Sequence, residues 1–254
     1  MLKLITIIKN IVYLDISIKK NILNKKINYF LQKNKSSNQI VLNVGSGTTK
    51  YDGVINIDVI KFDNVDIVAK NSELPFENNY ADKIMSIAVL EHSAEYDKAI
   101  IEMHRVLKQD GEILVAIPFM YPFHVYQGQT ADYYRFTKAG IMNAFGKYFE
   151  IIEIETNNGP LTSACHVLSV ALSNLFCFNF SKLYVLLNAI FQFLFMPIRI
   201  IDIFLNKLKY SHIAAENFIF IAKKRVTALD FFDEYEIDDP YVTTNNKLNK
   251  NKGY

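Results

Sequence analysis

The stretch IVLNVGSGTTKYDGVINIDV, residues 40–59, constrains the fold more than any other part of the sequence. A short apolar run ends at Val44, a Gly45-Ser46-Gly47 bend follows, and a second apolar run ends at Asp58. Runs of this kind read as neighbouring buried strands of a parallel sheet. Glycine suits the bend because the backbone there takes positive φ and lets a ligand come close. The N–H groups freed by the bend and by the following helix start then face that ligand.

Eleven residues past Gly47, Asp58 closes the second run. A carboxylate at the carboxyl end of strand two can accept both ribose hydroxyls of an adenosine. The third glycine of the dinucleotide fingerprint is missing, which argues against a nicotinamide enzyme.

From Gln39 onward short apolar runs alternate with helical patterns. The predicted strands are 40–44, 54–58, 65–69, 83–89, 111–118, 149–155 and 217–223. Between the fourth and fifth, Ala99, Ile100, Met103, Val106 and Leu107 recur at helical spacing, with Gly111 as a left-handed stop. Such alternation predicts an α/β fold: a Rossmann-like, doubly wound, mostly parallel seven-stranded sheet with an apolar helical insertion before the last strand. The organisation expected is a basic amphipathic helical arm over 1–35, a main domain over 36–159 and 213–228, the insertion over 160–212, and a disordered tail over 229–254.

Half of the 254 residues are apolar, enough for a buried core, and the net charge of +2 gives no general argument for nucleic acid. The two cysteines, Cys165 and Cys177, have no metal-ligand or disulfide spacing and fit a reducing cytosol. Lys9 and Asp15 interrupt the apolar amino terminus, and no small-residue cleavage site follows, which argues against a secretory signal. The lysines of residues 2–33 form either a basic face for anionic lipid or the solvated side of a helix packed on the sheet.

Between Pro160 and Arg199 the only formal charge is Lys182, which splits two apolar stretches of nearly membrane-spanning length. Three arrangements fit: two spans, a monotopic hairpin in one leaflet, or a greasy lid over the site. The Phe-rich composition without small-residue packing motifs favours contact with lipid or a lipid-like ligand, with soluble burial as the bland alternative. Pro197 should kink or stop the second helix.

Three further stretches carry a resemblance. SELPFENNYADKIMSIAVLEH (72–92), AIIEMHRVLKQDGEILVAIP (99–118) and PFMYPFHVYQGQTADYYRFTKAGI (118–141) are similar, together with the glycine bend, to class I S-adenosylmethionine-dependent methyltransferases of the type-11 group. The third stretch resembles members associated with cell-surface glycan assembly. The resemblance implies S-adenosylmethionine as cofactor. Val44, Gly45, Ser46 and Gly47 would then pass under its methionine part, Asp58 would hold the ribose, and Asn71 and Ser72 would lie at the adenine edge. Ala88 and Leu90 would floor the site near the sulfonium, with Glu91 and His92 at the mouth. Asn43 and Lys70 depart from the acidic residues that relatives hold at those positions.

His92 and His124 follow the carboxyl ends of strands four and five, where open α/β sheets bind ligands, and are the candidate acid–base or acceptor-binding groups. Arg135 is either a clamp for an anionic acceptor or half of a structural pair with Asp132, one turn before a helix starting near Thr137. His104 reads as a packing residue, and His166 and His212 have no evident partner. No Asp/His cluster is visible, so the expected reaction is metal-independent. The function expected is methyl transfer to a glycan, a lipid-linked saccharide or another membrane-proximal acceptor, with membrane contact through 160–209 at the inner face of the cell membrane. The alternatives are a quinone or isoprenoid methyltransferase, and a cofactor-binding module without turnover.

Overall fold

The computed structural model describes residues 23–33, 38–125 and 131–229. Most of the expected basic arm and all of the expected tail beyond 229 therefore lie outside the described residues. The seven strands are β1 (Val41–Val44), β2 (Ile55–Asp58), β3 (Ile67–Val68), β4 (Ala81–Ile87), β5 (Leu107–Pro118), β6 (Phe149–Thr156) and β7 (Asn217–Lys224). They form one sheet in the order β3-β2-β1-β4-β5-β7-β6. Only β7 runs against its neighbours, antiparallel to both β5 and β6. The expected Rossmann-like, mostly parallel sheet is what the chain forms.

Strand order reverses between β1 and β4, which pair in parallel with Leu42 beside Ile84. The connections leaving these two strands part to opposite sides, and a crevice opens above their carboxyl ends. The sequence places the Gly45 bend and the Ala88–His92 segment there.

Alternating side chains supply two cores. On one face Leu42, Ile57, Ile113, Val115, Phe218 and Phe220 pack with α2 (Tyr96–Val106) and α3 (Lys138–Gly146). On the other face Val41, Met85, Leu114, Ala116, Ile219 and Ile221 pack under Ile27 and Phe30 of α1, a helix over residues 23–32. Leu23, Ile27, Phe30 and Leu31 repeat at the spacing of one helical face. The basic side of α1 meets protein: Lys26 pairs with Glu153 and Glu155 of edge strand β6, and Lys33 with Glu112 of β5.

The helix expected to run to Gly111 stops earlier. Val106 is its last residue, and Leu107 is extended, fully buried and paired with Ala81 as the first residue of β5. Burial of Leu107 as a strand residue ends the helix, and an irregularity in the β4–β5 register absorbs the residues between 107 and 112. Gly111 does not take positive φ. It provides room instead: a Cβ there would lie 2.5 Å from Leu107 Cγ and 2.9 Å from the Asp82 carbonyl oxygen.

Two of the motifs that carry the family likeness meet here. Arg105 of α2 donates to the carbonyls of Leu74 and Phe76 and to the Glu102 carboxylate, which in turn accepts from the Leu74 N–H. These bonds fix the loop that leaves β3 and carries Asn71 and Ser72.

The insertion holds α4 (Pro160–Phe176), α5 (Ser181–Arg199) and α6 (Asp202–Leu205). α4 and α5 pack as a hairpin. The expected lack of small-residue packing is corrected: α4 buries Thr162, Ser163, Cys165, Ser169 and Ser173. Ser169 and Ser173 return their hydroxyls to carbonyls one turn back, so no polar group is left bare on that stripe. Pro197 sits two residues before the end of α5, and the helix carries through it to Arg199. At the root of the hairpin His166 pairs with Glu216, which also accepts from Asn158 and Asn217.

Arg105→Ala should lower stability by about 1–3 kcal/mol, the cost of losing several charge-assisted bonds to the Leu74 and Phe76 carbonyls and to Glu102. Urea unfolding measures it, and an unchanged midpoint would mean that other contacts hold the loop.

Candidate active site

Two hollows meet above the split between β1 and β4. The first has a volume of 230 Å³, with walls that include Val44, Asp58, Lys70, Asn71, Ser72 and Glu95. The second, of 180 Å³, is walled by Ser46, Gly47, Thr49, Ala88 and His124 among others. Gly45, Asp58, Val89 and His92 border both, so the hollows form one elongated cleft.

The bend after β1 is set by its neighbours. Gly45 has φ +76°, and its N–H and that of Ser46 both donate to the Ile57 carbonyl. A Cβ on Gly45 would stand 2.3 Å from Val89 Cγ2, so only glycine lets the bend pass under the end of β4. Asp58 points at this bend. One carboxylate oxygen accepts from Gly47 N at 2.8 Å and the other from Ile60 N at 2.9 Å. Each oxygen keeps a lone pair for a further donor in the cleft. Ala88, just past β4, also has positive φ, +55°. For alanine that conformation is strained, and such residues gather at working sites.

Of the residues expected to hold a cofactor, Val44, Gly45, Ser46, Gly47, Asp58, Asn71, Ser72 and Ala88 all border the cleft. Leu90 does not. It begins a 3-10 turn, Leu90–His92, and turns into the core at 1% exposure. Val89 takes its place, a neighbour that the motif alone does not distinguish. Lys70 stands in the wall, whereas Asn43 is buried and donates to Asn56 Oδ1 on β2. Ser46 keeps a buried hydroxyl with no partner among the described residues.

The far end of the cleft is built by the loops after β4 and β5. His92 and His124 meet edge-on, with ring centroids 4.9 Å apart. His92 Nδ1 lies 2.8 Å from the Ala131 carbonyl. His124 is held by Asp132, whose Oδ2 accepts the His124 N–H at 2.8 Å and lies 3.3 Å from its Nδ1. Burial pushes the His124 imidazole below its ordinary value, against the pull of Asp132. Tyr121 touches the outer edge of His124 and, at a centroid distance of 5.4 Å, also His166 of α4.

Arg135 is not an acceptor clamp. Its five N–H donors go to both oxygens of Asp132 and to the carbonyls of Tyr121, Pro122 and Tyr134, which exhausts its capacity. It is a positioning residue that orients Asp132 and through it His124. Burial pushes the Asp132 carboxyl up, but Arg135 and the His124 N–H hold it below the usual carboxylate range. Thr137 caps α3 by accepting from Gly140 N, as the pair reading of Asp132 and Arg135 requires.

Glu91, expected at the mouth beside His92, is buried instead. It is fully buried between the two histidines, and its Oε1 lies 4.0 Å from each Nε2. Neither carboxylate oxygen has a hydrogen-bond partner among the described residues. Burial pushes its carboxyl up to about 8. The expectation that no acidic–histidine cluster exists is therefore corrected: the metal-binding atoms of Glu91, His92 and His124 lie within 4.8 Å of one another. The cluster escaped notice because His124 reaches it only through the pairing of β4 with β5. The remaining histidines are peripheral. His104 packs on Tyr148 and Phe149, and His166 has the Glu216 partner that the sequence did not show.

With this geometry in place, residues 42–115 match the family described as a methyltransferase domain. Curated relatives are named ubiquinone/menaquinone biosynthesis C-methyltransferase UbiE. The one from Pseudoalteromonas translucida is 38% identical over 74 residues, 29% of this chain and 29% of that protein. The one from Shewanella baltica is 34% identical over 100 residues, 39% of this chain and 37% of that protein. The matched stretches thus span about a third of these relatives' length. The crystal structure of the [4+2]-cyclase SpnF superposes with a TM-score of 0.49 at 17% identity, covering 80% of this chain and 81% of that one. The matched stretch holds Gly45, Asp58, Asn71 and His92, while His124 and Asp132 lie beyond its limits.

Glu91 gives the site a pH signature. Folded, the carboxyl keeps its proton up to about 8, whereas unfolded it titrates near 4.5. The folded state therefore binds more protons between those values, and the associated stability is present in full below 4.5 and lost as pH rises through 8. Relative to Glu91→Gln, the wild type should lose on the order of a few kcal/mol between pH 5 and 8.5. Thermal unfolding of both proteins across that range checks it, and parallel curves would contradict the assignment.

Proposed function

We propose that the chain is an S-adenosylmethionine-dependent methyltransferase acting on an amphipathic acceptor held at a lipid surface. The observation that carries the first half is the cleft itself: a Gly45 bend that no other residue permits, facing Asp58 at the tip of β2. The bound cofactor supplies a methyl group already activated on a sulfonium.

The chain's residues have a divided task. Gly45, Ser46 and Gly47 offer a close-lying backbone to the methionine part, and the free lone pairs of Asp58 accept ribose hydroxyls. Asn71 and Ser72 flank the adenine, and Val89 closes the wall between the two hollows. His92 and His124 stand where the acceptor enters, to orient it and to take up its proton if the acceptor is a hydroxyl. Alignment is the main contribution required, and fixed geometry can supply roughly 7–11 kcal/mol of the barrier.

Support for the lipid surface comes from the hairpin. α5 is long and apolar enough to cross a membrane, yet almost none of it is buried in the protein. Phe193 and Leu194 are more than half exposed, as are Phe178 and Phe180 in the α4–α5 turn. At about 1.5 Å per residue the helix is about 28 Å long, close to the hydrocarbon thickness of about 30 Å. An exposed apolar face of this size calls for lipid or a partner. Lys138, Lys207, Lys209 and His212 border a hollow beside the hairpin root, a basic rim suited to anionic headgroups. The protein would then work at the inner face of the cell membrane.

For the acceptor we favour a lipid-linked saccharide. The stretch resembling glycan-assembly members, residues 118–141, builds the acceptor end of the cleft through His124, Asp132 and Arg135. The quinone or isoprenoid reading draws on the UbiE relatives, but the matched domain ends at residue 115, before that end is reached.

Calorimetry of the full chain should show binding of S-adenosylmethionine and S-adenosylhomocysteine, and Asp58→Ala should weaken it at least tenfold, about 1.4 kcal/mol. No binding of either compound would overturn the reading. Cells fed methyl-labelled methionine should place label in the lipid-linked saccharide fraction only when the protein is present; label in the quinone fraction instead would select the alternative. Flotation with anionic vesicles should recover the wild type and lose Phe193→Glu/Leu194→Glu, and equal recovery would remove the hairpin as an anchor.

A further inference from the structure

We propose that Glu91, His92 and His124 form a binding site for one divalent transition-metal ion at the acceptor end of the cleft. His92 Nδ1 faces the Ala131 carbonyl at 2.8 Å, and a carbonyl only accepts, so Nδ1 carries the hydrogen. His124 Nδ1 faces two acceptors, the Pro122 carbonyl and Asp132 Oδ2, each at 3.3 Å. Both imidazoles are thereby fixed as Nδ1–H tautomers, and both present bare Nε2 lone pairs.

Both Nε2 atoms lie 4.0 Å from the same carboxylate oxygen, Glu91 Oε1. With Glu91 ionised, as a metal ligand must be, three acceptors converge with no donor between them among the described residues. Glu91 is at 0% exposure, and neither of its oxygens has a hydrogen-bond partner among the described residues. A buried constellation of this kind is stabilised by a positive centre, either the proton that Glu91 keeps in the metal-free protein or a cation that displaces it.

The donor set selects the ion. Two imidazole nitrogens and one carboxylate suit Zn²⁺, Fe²⁺, Mn²⁺ or Co²⁺ better than the all-oxygen cations Mg²⁺ and Ca²⁺. Three protein ligands with a remaining open position are the pattern of catalytic metal sites. Two ligands at about 2.1 Å in tetrahedral geometry stand about 3.4 Å apart, so the present 4.0 Å spacings close with small ring movements.

The outer partners fit as well. A ligating histidine ordinarily donates its other nitrogen to a carbonyl or carboxylate, as His92 does to Ala131 and His124 to Pro122, with the Asp132 carboxylate 3.3 Å from the same nitrogen. Arg135, with all five donors spent, holds Asp132 in that place. Both rings also border the cleft, so the open position faces the space an acceptor must enter. An ion there would fix an oxygen-bearing acceptor, and the histidines would serve as ligands rather than as bases. This last role rests on the methyltransferase reading, whereas metal binding does not.

The test uses the full chain, stripped with chelator and titrated with Zn²⁺ by calorimetry and with Co²⁺ by visible absorption. One equivalent should bind, and Co²⁺ should show ligand-field bands of a low-coordinate nitrogen–oxygen site. Glu91→Gln and His124→Ala should each weaken binding by more than about 100-fold, beyond the 10- to 100-fold typical of outer-shell changes. His212→Ala, far from the cluster, should bind as the wild type does. His92→Gln is read in place of either variant that fails to fold by circular dichroism. Absence of Zn²⁺ binding to the wild type, or binding unchanged in the folded cluster variants, overturns the proposal. S-adenosylhomocysteine binding is measured on the same stripped samples. Its retention without metal binding leaves the methyltransferase reading intact, and its loss alone leaves the metal site intact.

Discussion

A single carboxylate organises the cleft. Asp58 ends β2 and reaches across to the bend that leaves β1, with one oxygen on Gly47 N and the other on Ile60 N. It therefore ties together the two backbone segments between which a nucleoside would lie. The bend can come so close only because Gly45 has no Cβ to strike Val89. Binding surface and scaffold are the same atoms here, so a change at Asp58 alters the shape of the cleft as well as its donors and acceptors.

The fold was legible because buried parallel strands leave continuous apolar runs, and all seven were placed within a few residues. The glycine bend and Asp58 were legible for the same local reason, since a strand end, a bend and the next strand end are contiguous in the chain. Legibility failed where an outcome depended on a partner elsewhere. Leu107 ends α2 because Ala81 of β4 waits for it, and Gly111 is small because of Leu107 and Asp82. Leu90 and Val89 look alike in sequence, and only the 3-10 turn decides which of them sees the cleft. The cluster of Glu91 with two histidines exists because β4 and β5 are neighbours. By contrast, the Asp132–Arg135 pair sits three residues apart and could be anticipated.

The most recognisable motifs turn out to be structural. Arg105 and Glu102 serve the backbone of residues 74–76 and touch no part of the cleft. Their effect on chemistry is indirect, through the loop that ends at Asn71 and Ser72. The residues at the acceptor end, by contrast, come from loops after β4 and β5, where length and composition are less constrained by packing. This division explains how one sheet can serve many acceptors.

Tyr121 joins what the chain keeps far apart, standing edge-on to both His124 and His166. Cutting out the hairpin would strip one side of Tyr121 and leave Glu216 a buried charge with no imidazole beside it. Loss of activity in such a truncation would say nothing about membranes. The exposed apolar hairpin and the far end of the cleft share one aromatic post, and only point changes on the outer face of α5 can separate their effects.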